Sequence, residues 1–106
     1  MSGSFRVVPT VTFQGDIERL EEHIVQRELA SNTPDDTCLF RFRDAVERAM
    51  GILSFAPHTC RRSESHREFR ELIIPFGHGG CVVLFAIREV DVVLLAARDQ
   101  HEHDYR

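Results

Sequence analysis

Phe69-Arg70-Glu71-Leu72-Ile73-Ile74-Pro75-Phe76, Gly77-His78-Gly79-Gly80, Cys81-Val82-Val83-Leu84-Phe85-Ala86-Ile87, Arg88-Glu89-Val90-Asp91 and Val92-Val93-Leu94-Leu95-Ala96-Ala97 follow one another without interruption. Three runs rich in β-branched and apolar residues are separated by short segments of turn-forming residues. Such runs joined by such turns form consecutive hairpins. The spacing predicts strands over 69–76, 81–88 and 91–97, an antiparallel meander whose two most apolar runs take central positions.

Upstream, Phe5, Val7, Pro9, Val11 and Phe13 alternate with mostly polar neighbours, the period of two of a half-buried strand. Pro9 confines that strand, over 5–12, to an edge. Gly15-Asp16 breaks the alternation, Asp16 suits an N-cap, and Ile17, Leu20 and Ile24 recur at helical spacing, predicting a helix over 16–30. Thr33-Pro34-Asp35-Asp36 combines a hydroxyl cap, a proline at the first helical position and an acid, predicting a second helix over 34–54 that Pro57 ends. Its apolar face is Leu39, Phe42, Val46, Met50 and Leu53. The expected fold is α+β: an N-terminal strand, a helical hairpin, then the three-stranded antiparallel meander, all in one mainly antiparallel sheet. Leu20, Ile24, Leu39, Phe42, Val46, Met50, Leu84 and Leu94 are expected to share its core.

A chain of 106 residues with 42% hydrophobic content fits one domain over 1–106, with 98–106 as a charged tail. The apolar runs Cys81 to Ile87 and Val92 to Ala97 fall short of the roughly 18 residues of a membrane span. Met1-Ser2-Gly3-Ser4 lacks the basic and apolar regions of a secretory signal, so a cytoplasmic location without membrane association is expected. Cys38, Cys60 and Cys81 are odd in number and irregularly spaced, which favours reduced thiols. A net charge of −4 provides no general attraction to nucleic acid, so any phosphate contact needs a local patch. Arg61, Arg62, Arg67 and Arg70 form one, while Glu18, Glu21, Glu22 and Glu28 make the first helix acidic.

Arg98-Asp99-Gln100-His101-Glu102-His103-Asp104-Tyr105-Arg106 concentrates titratable and phosphate-binding side chains just past the last strand. Metal-independent RNA cleavage needs a base, an acid and cations near the phosphate, types that histidine and arginine supply. The candidates are Arg70, Arg98, His101, His103 and Tyr105, set against the plainer reading of a solvated terminus. His58, Cys60 and His66 lie close in sequence, yet no CxxC or HxxxH pair is present, so neither a metal nor another cofactor is expected. Gly77-His78-Gly79-Gly80 joins two strands and opens no helix, so it is a turn and not a phosphate loop.

The segments Cys60-Arg61-Arg62, Phe69 to Gly77, Val82-Val83-Leu84-Phe85 and Val92 to Arg98, with the ending through Tyr105, resemble toxins of the RelE/ParE family. The resemblance implies the toxin half of a type II toxin–antitoxin pair, neutralised by a cognate antitoxin, as a homodimer or a toxin–antitoxin heterotetramer. It implies one of two targets: mRNA in the ribosome, cut by RelE-like endoribonucleases, or DNA gyrase, blocked by ParE-like members. Family members of this subtype end the last strand with Arg-His-Gln-Arg-Glu, where this chain has Arg98-Asp99-Gln100-His101-Glu102. An arginine and an aromatic of RelE-like nucleases are replaced by Val82 and Cys81. On these departures gyrase is the expected target. Ribosome-dependent mRNA cleavage is the alternative, and a non-toxic antitoxin-binding member the third reading.

Overall fold

The computed structural model of the chain describes residues 4–77, 79–102 and 104–105. Its elements are β1 (Arg6–Pro9), α1 (Val11–Leu29), α2 (Cys38–Phe55), a single 3-10 turn (Pro57–Thr59), β2 (Arg61–Arg62), β3 (Arg70–Phe76), β4 (Gly79–Arg88) and β5 (Asp91–Asp99). The sheet order is β1-β5-β4-β3-β2. The α+β class, the leading strand, the two helices and the meander stand as expected. The sheet, however, is mixed: β1 runs parallel to β5, while β5–β4, β4–β3 and β3–β2 are antiparallel. A strand that reaches its neighbour only through two helices can enter the sheet in either sense, and alternation within Phe5 to Phe13 does not encode which.

Two helix starts differ from the sequence reading. α1 begins at Val11, because Thr10 is the N-cap and its side chain accepts from the Phe13 amide at 3.2 Å. Phe13 then continues the series of Leu20 and Ile24 on the buried face. Gly15 lies inside the helix, and Asp16 is a buried helical residue and not a cap. α2 begins at Cys38 and not at Pro34. Asp35 instead closes a local turn, its Oδ1 accepting from the Thr37 amide and hydroxyl at 2.9 and 2.6 Å. The hydroxyl bond from Thr37 holds the Asp35 carboxyl below the usual carboxylate range. The helix stops at Phe55, just before Pro57.

The helices pack on one face of the sheet. Phe13, Leu20 and Ile24 of α1 and Cys38, Phe42, Ala49 and Leu53 of α2 meet Ile74, Cys81, Val83, Phe85, Val92, Leu94 and Ala97 in one core. The Phe42 ring meets Phe76 edge-on at 5.4 Å. Of the expected core, Leu20, Ile24, Phe42 and Leu94 are buried there and Val46 and Met50 pack against it. Leu39 is half-buried. Leu84 is buried but falls outside this cluster, since alternation along β4 turns Val82 and Leu84 to the face away from the helices.

Both ends of the meander are built by its turns. Gly77, at φ 60°, opens the β3–β4 turn; a Cβ on Gly80 would stand 2.3 Å from the Ile74 carbonyl oxygen, so that position admits only glycine. Between β4 and β5, Glu89 takes φ 56° in a two-residue turn flanked by the pair Arg88 and Asp91. A bulge lies further along, where Leu84 faces Ala96 but Phe85 faces Leu94, leaving Leu95 extra.

Candidate functional site

Side-chain alternation from the register separates the candidate residues. Arg98 opposes Val82, on the helix-free face, whereas Asp99 opposes Cys81, on the helix face. Past β5 the chain turns back, with the His101 amide donating to Asp99 Oδ1 at 2.8 Å. His101 is exposed and sits against Gly79, in a groove on the helix side lined also by Leu20, Ile24, Phe42 and Cys81. Burial pushes the Cys81 thiol up to about 12, with Asp99 adding to the effect, so it is a packing group and no nucleophile.

Tyr105 lies on the other side. Its hydroxyl donates to Glu71 Oε2 at 2.8 Å, and Glu71 opposes Leu84 on β4. Tyr105 therefore lies against β3 on the helix-free face. Arg98 follows it: the guanidinium stands 5.2 Å from the Tyr105 ring centroid and donates to the carbonyls of Glu102 and Asp99 at 2.6 and 3.3 Å. Burial, and next the bond to Glu71, raises the Tyr105 phenol well above its ordinary value, and Arg98 only partly opposes this. A neutral phenol there is a hydrogen-bond donor and not a base.

Glu102 ties the C-terminal segment to α1. Its Oε1 accepts from the Asp99 amide at 2.8 Å and from Arg19 Nη1 at 3.3 Å. Part of what the sequence presents as a free charged tail is thus fixed by side chains and main chain, and Arg98 and Asp99 belong to β5 itself.

Arg70 is elsewhere. It sits in register with Phe85, on the helix-side parity, and its Nη1 donates to the carbonyls of Cys60 and His58 at 2.7 and 3.3 Å. That guanidinium closes the 3-10 turn onto β3, a structural task. Two more of the basic cluster are similarly engaged: Arg61 and Arg62 form the edge strand β2, Arg61 bonds Glu71, and Arg62 donates to the Arg67 carbonyl at 3.2 Å. His103 lies outside the described residues.

Arg98 and Tyr105 are thus brought together, while Arg70 and His101 are each apart from them. Of the assembled site, Arg61 belongs to the basic patch read from the sequence, whereas Glu71 had no place among the candidates. Strand parity was the available signal, since Glu71, Ile73 and Pro75 alternate with the core-facing Leu72 and Ile74. Among the described residues, no group of three or more His, Cys, Asp or Glu side chains is placed to hold a metal ion. No helix among them is long and apolar enough to cross a membrane. Compared with known proteins, the chain matches no family model and no curated protein.

Proposed function

We propose that this chain is the toxin component of a type II toxin–antitoxin pair, neutralised by a cognate antitoxin, and that it inhibits growth through a protein target, DNA gyrase, and not by cutting mRNA. The toxin reading rests on the sequence resemblance to RelE/ParE proteins, with which the strand, helical hairpin and meander are compatible. The choice of target is carried by one observation: His101 lies on the helix side of the sheet, while Arg98 and Tyr105 lie on the opposite face. General acid–base cleavage needs its groups within hydrogen-bond reach of one phosphate. Of the two candidate histidines, His101 lies across the sheet from the arginine and the phenol and does not meet that demand, whereas occlusion of a protein target requires only surface.

The test adds the purified protein separately to a gyrase supercoiling reaction and to a translation reaction whose mRNA ends are mapped. Supercoiling is expected to fail and no new mRNA ends to form. The His101→Ala change is expected to leave inhibition within about a few-fold of wild type, whereas loss of a positioned acid or base costs about 10² to 10⁴ in rate. New mRNA ends beside normal supercoiling would overturn the choice of target.

A further inference from the structure

On the helix side of the sheet, β1, α1 and α2 meet pairwise at three corners. Thr10 turns β1 into α1 and caps that helix through the Phe13 amide at 3.2 Å. The Phe5 amide donates to the Ser54 carbonyl at 2.7 Å, which ties the start of β1 to the end of α2. Between the helices, Arg43 Nε donates to Glu21 Oε2 at 2.9 Å. These corners enclose a cleft of about 560 Å³. Each side of it comes from the stretch between two corners: Val7 and Pro9 from β1, Ile17 from α1, Val46 and Met50 from α2. Phe13 and Leu94 of the core form its floor, while Val7, Ile17, Val46 and Met50 are only partly buried around it. Its volume lies within the roughly 300 to 1,000 Å³ of small-molecule sites.

We propose that this cleft is a binding site for a compact apolar amine. Two observations select that occupant. One is shape: a peptide helix or strand needs a groove open at both ends, whereas the Phe5–Ser54 and Glu21–Arg43 contacts close the ends here. The other is charge. The polar side chains lining the cleft are Gln14 and Glu18, one turn apart on α1, and neither makes a hydrogen bond or ion pair among the described residues. A carboxylate beside an apolar cleft attracts a cation and repels an anion. An ammonium group has three donors, enough for the Glu18 carboxylate and the Gln14 amide oxygen together. Burial of an apolar body against Phe13, Ile17, Val46 and Met50 supplies the affinity, and the charged end supplies the selection. The inference goes beyond the toxin reading and stands whether or not the chain inhibits growth.

The test titrates phenylbutylamine, phenylbutanol and phenylpentanoate, one apolar body with a cationic, a neutral or an anionic end, into the full chain. Methyl resonances of Val7, Ile17, Val46 and Leu94 in nuclear magnetic resonance spectra report binding. The amine is expected to move these methyls together and to saturate, and the anion to bind about tenfold more weakly or less. Glu18→Gln is expected to bring the amine down to the affinity of the alcohol, a loss of about a few-fold. Val46→Phe fills the cleft and is expected to abolish binding of all three. Should it not fold, Gln14→Trp blocks the cleft from an exposed position. Absence of a saturable shift with the amine would overturn the proposal, as would equal affinity of the wild type for amine and anion, or shifts that survive filling of the cleft. Methyl shifts that follow protein concentration without any ligand would also overturn it, by assigning the cleft to a second copy of the chain.

Discussion

Tyr105 is the single tyrosine of a chain without tryptophan, so its ionisation can be followed alone by near-ultraviolet absorbance. A free phenol titrates near pH 10. Burial and the bond to Glu71 raise the folded value above that. The sign for stability follows from linkage: the stabilisation is complete below the unfolded value and is lost as pH rises through the folded one. The absorbance step is expected clearly above pH 10 in the folded protein, with the melting temperature declining over the same range. A step at the free-phenol value would show that the Tyr105 hydroxyl is not held on Glu71. The sequence could present Tyr105 and Arg98 as neighbours near a strand end, because both belong to one short segment. It could not present Glu71, which is 34 residues away in the chain and meets Tyr105 only through the fold.

At the scale of elements, the junction of β1, α1 and β5 explains why a helix boundary was misplaced. β1 runs parallel to β5 and ends at Pro9, opposite Leu94. Thr10 then turns the chain into α1, while its hydroxyl donates to the Leu94 carbonyl at 2.7 Å. Beyond that point the side of β5 that faced β1 has no strand to pair with. The Ala97 amide on that side is satisfied by Asp16 Oδ2 at 2.9 Å, a bond that is buried. Asp16 therefore does satisfy an orphan backbone donor, as its residue type suggests, but one on a strand and not at a helix start. That assignment was not legible, because a buried aspartate partnered by an amide 81 residues away looks locally like a cap. Periodicity, by contrast, made the meander readable, since its hairpins are local and their turns carry glycine. Asp16→Ala leaves the Ala97 amide unsatisfied, and a buried orphan donor costs about 1 to 3 kcal/mol. A thermal or denaturant melt should register that loss, and an unchanged midpoint would show that water replaces the carboxylate there.

For the molecule as a whole, an open sheet has two edges, and each carries unpaired backbone groups able to pair with another chain. Here each edge carries a proline whose nitrogen faces outward. On β1, the amides of Arg6 and Thr10 bond inward to Val90 and Leu94, so alternation turns Val7 and Pro9 to the open side. On β3, the Phe69 carbonyl takes the Ser63 amide on the β2 side, which places Glu71, Ile73 and Pro75 on that same edge. The Gly80 carbonyl, opposite Pro75, bonds instead to Gln100, as this parity requires. Because β2 covers only Arg70 and Glu71, the stretch from Leu72 to Phe76 is open, and it includes the half-exposed Ile73. Pro75 removes a donor near the end of an apolar strand that would otherwise accept a second copy. Pro9 was readable from the sequence as an edge residue, while Pro75 gained that meaning only once the sheet order was known. Pro75→Thr restores the missing donor with a residue suited to strands. It is expected to shift the protein toward dimers and larger species in size-exclusion chromatography, in a concentration-dependent way, while circular dichroism of the monomer fraction stays unchanged. A variant that elutes like the wild type at every concentration would show that the β3 edge is protected by something other than its proline.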